Sequence, residues 1–161
     1  KVIKFSKLDI DFIKIGIFFN EKKLSKLSSL KKEINPKKKL IAVFFADKNP
    51  NIKIINKVKE INFDGLLIDT INKKNGNLRK YINRNKIKDF INLAKKVNLS
   101  IGLAGSLGIH DINPLIKLKP DYIGFRSALC MQTNRKKGIS DSLVKKVVLE
   151  FKGGSSQAIV Q

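Results

Sequence analysis

The side chains best suited to chemistry sit where apolar runs break off. Lys14 lies inside "DFIKIGIFF" (11–19), Asp47 closes "LIAVFFAD" (40–47), and Asp69 closes "GLLID" ahead of Thr70 and Lys73. Two small-residue turns follow later apolar runs, Gly105–Ser106 in "GLAGS" and Gly124–Ser127 in "GFRS". Backbone N–H groups at Gly105, Ser106 and Ser127 can cradle a phosphate, and the Arg126 guanidinium adds a fork of donors. Each residue also has an ordinary structural role open to it. Lys14 can be an edge-strand lysine that blunts aggregation, Asp69 a turn cap, and Lys73 one solvated loop lysine among many. Asp47 is expected to cap the helix that follows it. His110 reads as a surface or capping residue with no second histidine to form a metal pair, and Cys130 as a packed thiol.

The elements that position these groups alternate in kind. Asp11–Phe19 has the period-two pattern of a strand, with Lys14 and Gly16 on one face. After Asn20 a helix is predicted, with Leu24, Leu27, Leu30 and Ile34 on one stripe and Pro36 at its end. Leu40–Asp47 is apolar on both faces, as a buried parallel strand is. A helix using Ile52, Ile55, Val58 and Ile61 leads to the strand Gly65–Thr70. A longer helix with Ile87, Phe90, Ile91, Ala94 and Val97 leads to Ser100–Ser106. Asp111–Lys119 is a short helical return before the fifth strand, Asp121–Ser127, and Ser140 caps a last helix. Strict alternation of strand and helix means parallel β/α units with right-handed crossovers. Residues 1–152 are read as five such units and 153–161 as a flexible tail. A doubly wound sheet and part of a (β/α)8 barrel both fit. No GxGxxG or GxxxxGK[ST] follows any strand, which counts against a nucleotide-binding open sheet.

Composition narrows the class. The 161 residues carry 34 Lys+Arg against 13 Asp+Glu, a formal net charge of +21. Only Arg79, Arg84, Arg126 and Arg135 are arginine, and Lys, Ile and Asn make up about two-fifths of the chain. A nucleic-acid module favours arginine and sets aromatics among its charges, whereas the aromatics here sit mainly inside apolar runs. The lysines therefore read as a solvated surface rather than a nucleic-acid face, and their field suits anionic small molecules such as sugar phosphates. The apolar runs are too short for a membrane span, no secretory signal opens the chain, and the single cysteine suits a reducing cytosol. The expected location is the cytoplasm.

The segments "DFIKIG", "LLIDTINKKNG", "GLAGSLG" and "DYIGFRSALC", followed by "NRKKGISDSLV", together resemble the (5-formylfuran-3-yl)methyl phosphate synthase family. That family is also called 4-(hydroxymethyl)-2-furancarboxaldehyde-phosphate synthase, and the likeness runs in order over about Asp9–Phe151. It implies an α/β fold, a (β/α)8 TIM barrel of which this chain carries strands four to eight with their helices. It implies condensation of two glyceraldehyde 3-phosphates, with loss of phosphate and water, to a phosphorylated furan aldehyde for methanofuran. Lys14 then stands for the fourth-strand active-site lysine, and Asp69 and Lys73 for the acid and lysine of a D-T-x-x-K motif. Gly105, Ser106, Gly124, Arg126 and Ser127 fall in phosphate-holding loops. The family's usual "GVRGAAC" is "GFRSALC" here, so Ser127 replaces a glycine.

The resemblance also places a Schiff-base lysine on the family's second strand, outside this chain. An amine attacks an aldehyde only when neutral, so burial and neighbouring cations must lower its pKa. Lys14 and Lys73 can do that while holding phosphates, and Asp69 can relay protons. The expected partner is a triose phosphate, with no metal, no organic cofactor and no membrane. Five units leave two open strand edges, so self-association, for instance as a homo-oligomer, is expected. Two other readings differ in kind: another Schiff-base aldolase-type barrel acting on sugar phosphates, and a non-catalytic basic binding protein with salt-dependent DNA affinity.

Overall fold

The computed structural model describes residues 2–18, 24–73 and 75–153. Its order is α1 (Val2–Phe5), β1 (Phe12–Gly16), α2 (Leu30–Glu33), β2 (Lys39–Phe45), α3 (Ile54–Glu60) and β3 (Gly65–Asp69). There follow α4 (Leu78–Tyr81), α5 (Arg84–Lys96), β4 (Ser100–Leu103), α6 (Ile112–Ile116), β5 (Tyr122–Ile123) and α7 (Asp141–Gly153). The strands form one parallel sheet in the order β1-β2-β3-β4-β5. A doubly wound sheet starts near its middle and reverses direction once. This one never reverses, so right-handed crossovers return every connection over the same face.

The strand alternation divides the apolar residues between two clusters. Leu40, Ala42, Phe44, Leu66, Ile68, Ile101, Leu103 and Ile123 join the helix residues in one large core. The α5 stripe Ile87, Phe90, Ile91 and Ala94 is buried there, and Phe90 lies 6.2 Å from Phe44. Burying a side chain of that size contributes about 1.5–3 kcal/mol. The other face holds Ile41, Val43 and Leu67, with Phe45, Ala104 and Tyr122 packed against them. That second cluster is built from strands and strand ends alone.

Carboxylates staple the starting ends of the strands. Asp64, just before β3, accepts from Leu40 N–H at 2.8 Å, and Asp121, just before β5, accepts from Ile101 N–H at 2.7 Å. On the face away from the helices the Tyr122 ring lies over Gly102, where a Cβ would overlap it, and its hydroxyl donates to the Leu66 carbonyl at 3.0 Å. Burial, helped by neighbouring Asp121, pushes the Tyr122 pKa up to about 12.

Some elements are shorter than their patterns. The stripe Leu24–Ile34 forms a 3₁₀ turn, Ser25–Leu27, and then α2, although Leu24 and Ile34 are buried as expected. Ser25, Ser28 and Ser29 interrupt it, and serine competes with helical backbone bonding. Residues 19–23, with the expected end of the first strand at Phe19 and Asn20, lie outside the described residues, as do residues 154–161 of the expected tail. The fifth strand is only Tyr122–Ile123, shorter than the expected Asp121–Ser127. An unexpected helix, α4, occupies the loop after β3.

Candidate active site

The ends of β2, β3 and β4 converge on one constellation. Asp69 Oδ1 accepts from Lys73 Nζ at 2.5 Å and from Thr70 N–H at 2.7 Å. Thr70 is fully buried, with its hydroxyl 3.4 Å from the same ammonium. The Gly105–Ser106 turn packs against Thr70: Gly105 has φ +113°, and a Cβ on it would come within 3.0–3.2 Å of Thr70. Only glycine takes that conformation and that approach together. Ser106 Oγ donates to the Lys73 carbonyl at 3.2 Å, and Leu78 N–H to the Gly105 carbonyl at 2.9 Å. The D-T-x-x-K segment and the glycine-serine turn, far apart in sequence, thus form one unit.

Lys14 faces the same side. Its register partner Ile41 and the alternate residues Val43, Phe45, Leu67 and Asp69 share that face. Burial lowers the Lys14 pKa from 10.5, and the Asp69 carboxylate opposes the shift, so the two groups feel each other's charge. β1 is the terminal strand of the sheet among the described residues. Phe18 stacks on Phe45 at 4.6 Å and covers Gly16. Sequence reasoning missed Phe18, Phe45 and Tyr122 as lining residues; Phe18 shares the parity of Lys14 within its own run, whereas Phe45 and Tyr122 join that face only through the strand register.

Asp47 does not cap the following helix. The chain turns through left-handed Asn49, and α3 begins only at Ile54. The carboxylate instead accepts from Ile71 N–H at 3.0 and 3.1 Å and from Asn72 N–H at 2.9 Å. Burial raises its pKa, but those N–H groups, its own amide and Lys48 outweigh burial and lower it below the ordinary 3.8.

The loop after β5 is tied to itself. Arg126 donates to Cys130 Sγ at 2.7 Å and to the Arg135 carbonyl at 3.5 Å, while Arg135 Nε donates to Ser127 Oγ at 2.9 Å. The Arg126 fork is therefore turned onto its own loop. A Cβ on Gly124 would meet Ala104 at an ordinary 3.5 Å, so its neighbours do not demand a glycine. Cys130 is buried and its thiol donates to the Arg126 carbonyl, while His110 is exposed. Among the described residues no three His, Cys, Asp or Glu side chains are grouped to hold a metal ion. A groove of about 430 Å³ lies elsewhere, on the helical exterior between Arg79, Arg84, Ile87 and Leu115. Its Arg79 is already paired with the buried Asp111 at 3.0 Å.

Residues 1–148 match the family model described as 4-HFC-P synthase. The chain belongs to that family. It is 30% identical over 155 residues to (5-formylfuran-3-yl)methyl phosphate synthase of Methanosarcina mazei, covering 87% of this chain and 64% of the relative. The enzymes of that name from Methanosarcina acetivorans and Methanococcus maripaludis (strain C6) are 28% and 27% identical, over 87% and 86% of this chain and 64% of each relative. The chain thus spans under two-thirds of the length of these 4-HFC-P synthase relatives. Among solved structures it resembles the dipeptide epimerase of Enterococcus faecalis V583, with TM-score 0.62 and 14% identity over 99% of this chain and 42% of that one. Ega3 of Aspergillus fumigatus matches with TM-score 0.55 and 16% identity over 96% and 70%. At those identities the likeness concerns the fold alone.

Proposed function

We propose that the described units are strands four to eight of a (β/α)8 barrel, working in a (5-formylfuran-3-yl)methyl phosphate synthase. The reaction is a lyase-type condensation of two glyceraldehyde 3-phosphates, losing phosphate and water, that supplies methanofuran biosynthesis in the cytoplasm. The one-way strand order supports the barrel, because closure requires each strand to be laid beside the last in one direction. Family membership supports the activity.

The observation that carries the reading is the Asp69–Lys73 pair, locked to the Gly105–Ser106 turn on the face that bears Lys14. Barrel chemistry gathers at these C-terminal strand ends. In this reading Lys14 and Lys73 place positive charge around substrate phosphates and depress the pKa of a Schiff-base lysine on the second strand. Asp69, already hydrogen-bonded to an ammonium, moves protons during enamine formation and elimination. Gly105 and Ser106 offer backbone N–H groups to a phosphate, and Gly124, Arg126 and Ser127 offer a second cradle once the Arg126 fork leaves Cys130.

The test uses the full-length protein with glyceraldehyde 3-phosphate alone, following the furan aldehyde by absorbance. Lys14→Ala, Asp69→Asn and Lys73→Ala are each expected to slow its formation by about 10²–10⁴-fold. Wild-type turnover in all three variants would remove the site assignment, and a wild-type protein that forms no furan would remove the activity.

A further inference from the structure

We propose that Asp47 is the positioning residue of this site: from the end of β2 its carboxylate fixes the turn that delivers Lys73 to Asp69. The two residues before Lys73, Ile71 and Asn72, point successive N–H groups at that one carboxylate, with distances of 2.9–3.1 Å. Paired N–H groups of this kind make an anion-binding nest, here filled by the protein's own side chain. Packing holds the turn at its start, where Thr70 is fully buried against Gly105, but Ile71 is 41% exposed, so beyond Thr70 the turn leans on polar contacts.

Those contacts form a continuous support. Lys86 Nζ, in the first turn of α5, donates to Asn49 Oδ1 at 2.6 Å and steadies the segment that carries Asp47. Asp47 then grips Ile71 and Asn72, and Ser106 grips the carbonyl of Lys73 from the other side. Lysine has a long stem with many rotamers, so fixing its backbone on both flanks narrows where its ammonium can go. The Lys73–Asp69 contact at 2.5 Å is the result. Asp47 itself touches no reacting atom. An asparagine would keep the shape but turn an N–H₂ group toward one of the two donors, whereas glutamate keeps the charge and both acceptors.

The catalytic consequence rests on the proposed function above; the structural one does not, and the experiment separates them. Amide hydrogen exchange is measured in the full-length protein for wild type, Asp47→Asn and Asp47→Glu. Asp47→Asn is expected to speed exchange at Ile71 and Asn72 about tenfold, with Leu67 and Ile68 in β3 unchanged, and Asp47→Glu to recover most of the protection. In the furan assay Asp47→Asn is expected to lower kcat/KM about 10–100-fold, chiefly through KM for glyceraldehyde 3-phosphate, with the same recovery by Asp47→Glu. Unchanged exchange at Ile71 and Asn72 in Asp47→Asn overturns the proposal. So does faster exchange with full wild-type turnover. Faster exchange confined to that turn, in a protein whose wild type makes no furan, sinks the synthase reading and leaves the clamp standing.

Discussion

Lys14 illustrates how a single residue can oppose the fold and still belong to the site. Burial holds its pKa below 10.5 despite the pull of Asp69. Between that lowered value and 10.5 the unfolded chain binds the extra proton, so this residue's contribution to stability rises with pH there. Below the lowered value its full penalty is present. Lys14→Met is therefore expected to raise stability near neutral pH, with the gain shrinking toward about pH 10. Denaturant unfolding of both proteins at the two pH values checks this; a gain that grows with pH contradicts it. At this scale the sequence was partly readable. Lys14, Asp69 and Lys73 each had an ordinary structural role open to them, and only the family resemblance grouped them as one site. The clamp by Asp47 spans 24 residues, and no local pattern announces a carboxylate that serves a different loop. The turning of the Arg126 guanidinium onto Cys130 was likewise invisible, because that thiol becomes an acceptor only through the tight turn between them.

At the scale of the element, period and burial were legible and continuity was not. Every strand lies where the alternating or all-apolar runs place it, since a residue's face on a strand follows directly from its number. The helix after β1, interrupted by serines, and the fifth strand came out shorter than their patterns. The glycine of β4 had no visible purpose in sequence. It makes room for the Tyr122 ring, which crosses it to reach Leu66 on β3. Gly102→Ala is expected to push that ring away and destabilise the protein by about 1–3 kcal/mol, as overpacking does. The same change should bring the phenol titration of Tyr122 down from about 12 toward its ordinary 10. Thermal melting and ultraviolet titration together check it. An unshifted melting temperature with an unshifted titration rejects the account.

At the scale of the whole sheet, β1 and β5 carry no second neighbour among the described residues. Beside β1 the apolar side chains of Phe5, Leu8, Ile10 and Phe12 are exposed, with Phe18 at 67%. Unpaired strand edges with apolar neighbours invite other chains, while a net charge of +21 holds copies apart. Screening should shift that balance. The 161-residue chain alone is expected to self-associate more at about 0.5 M salt than at about 0.05 M. Sedimentation velocity showing one compact monomer at both salts would contradict this. No described helix is long and apolar enough to cross a membrane, so these exposed residues do not belong to a helical span.

The split of the strands between two clusters has an evolutionary consequence. Helix-facing positions such as Leu66 and Ile68 answer to the layer that keeps the protein folded, while the alternate positions Leu67 and Asp69 answer to whatever occupies the opposite side. Successive side chains of a strand point to opposite faces of the sheet, so the two sets pack against different partners. Selection can therefore rewrite what one surface recognises, residue by residue, while the helix-facing layer keeps the fold.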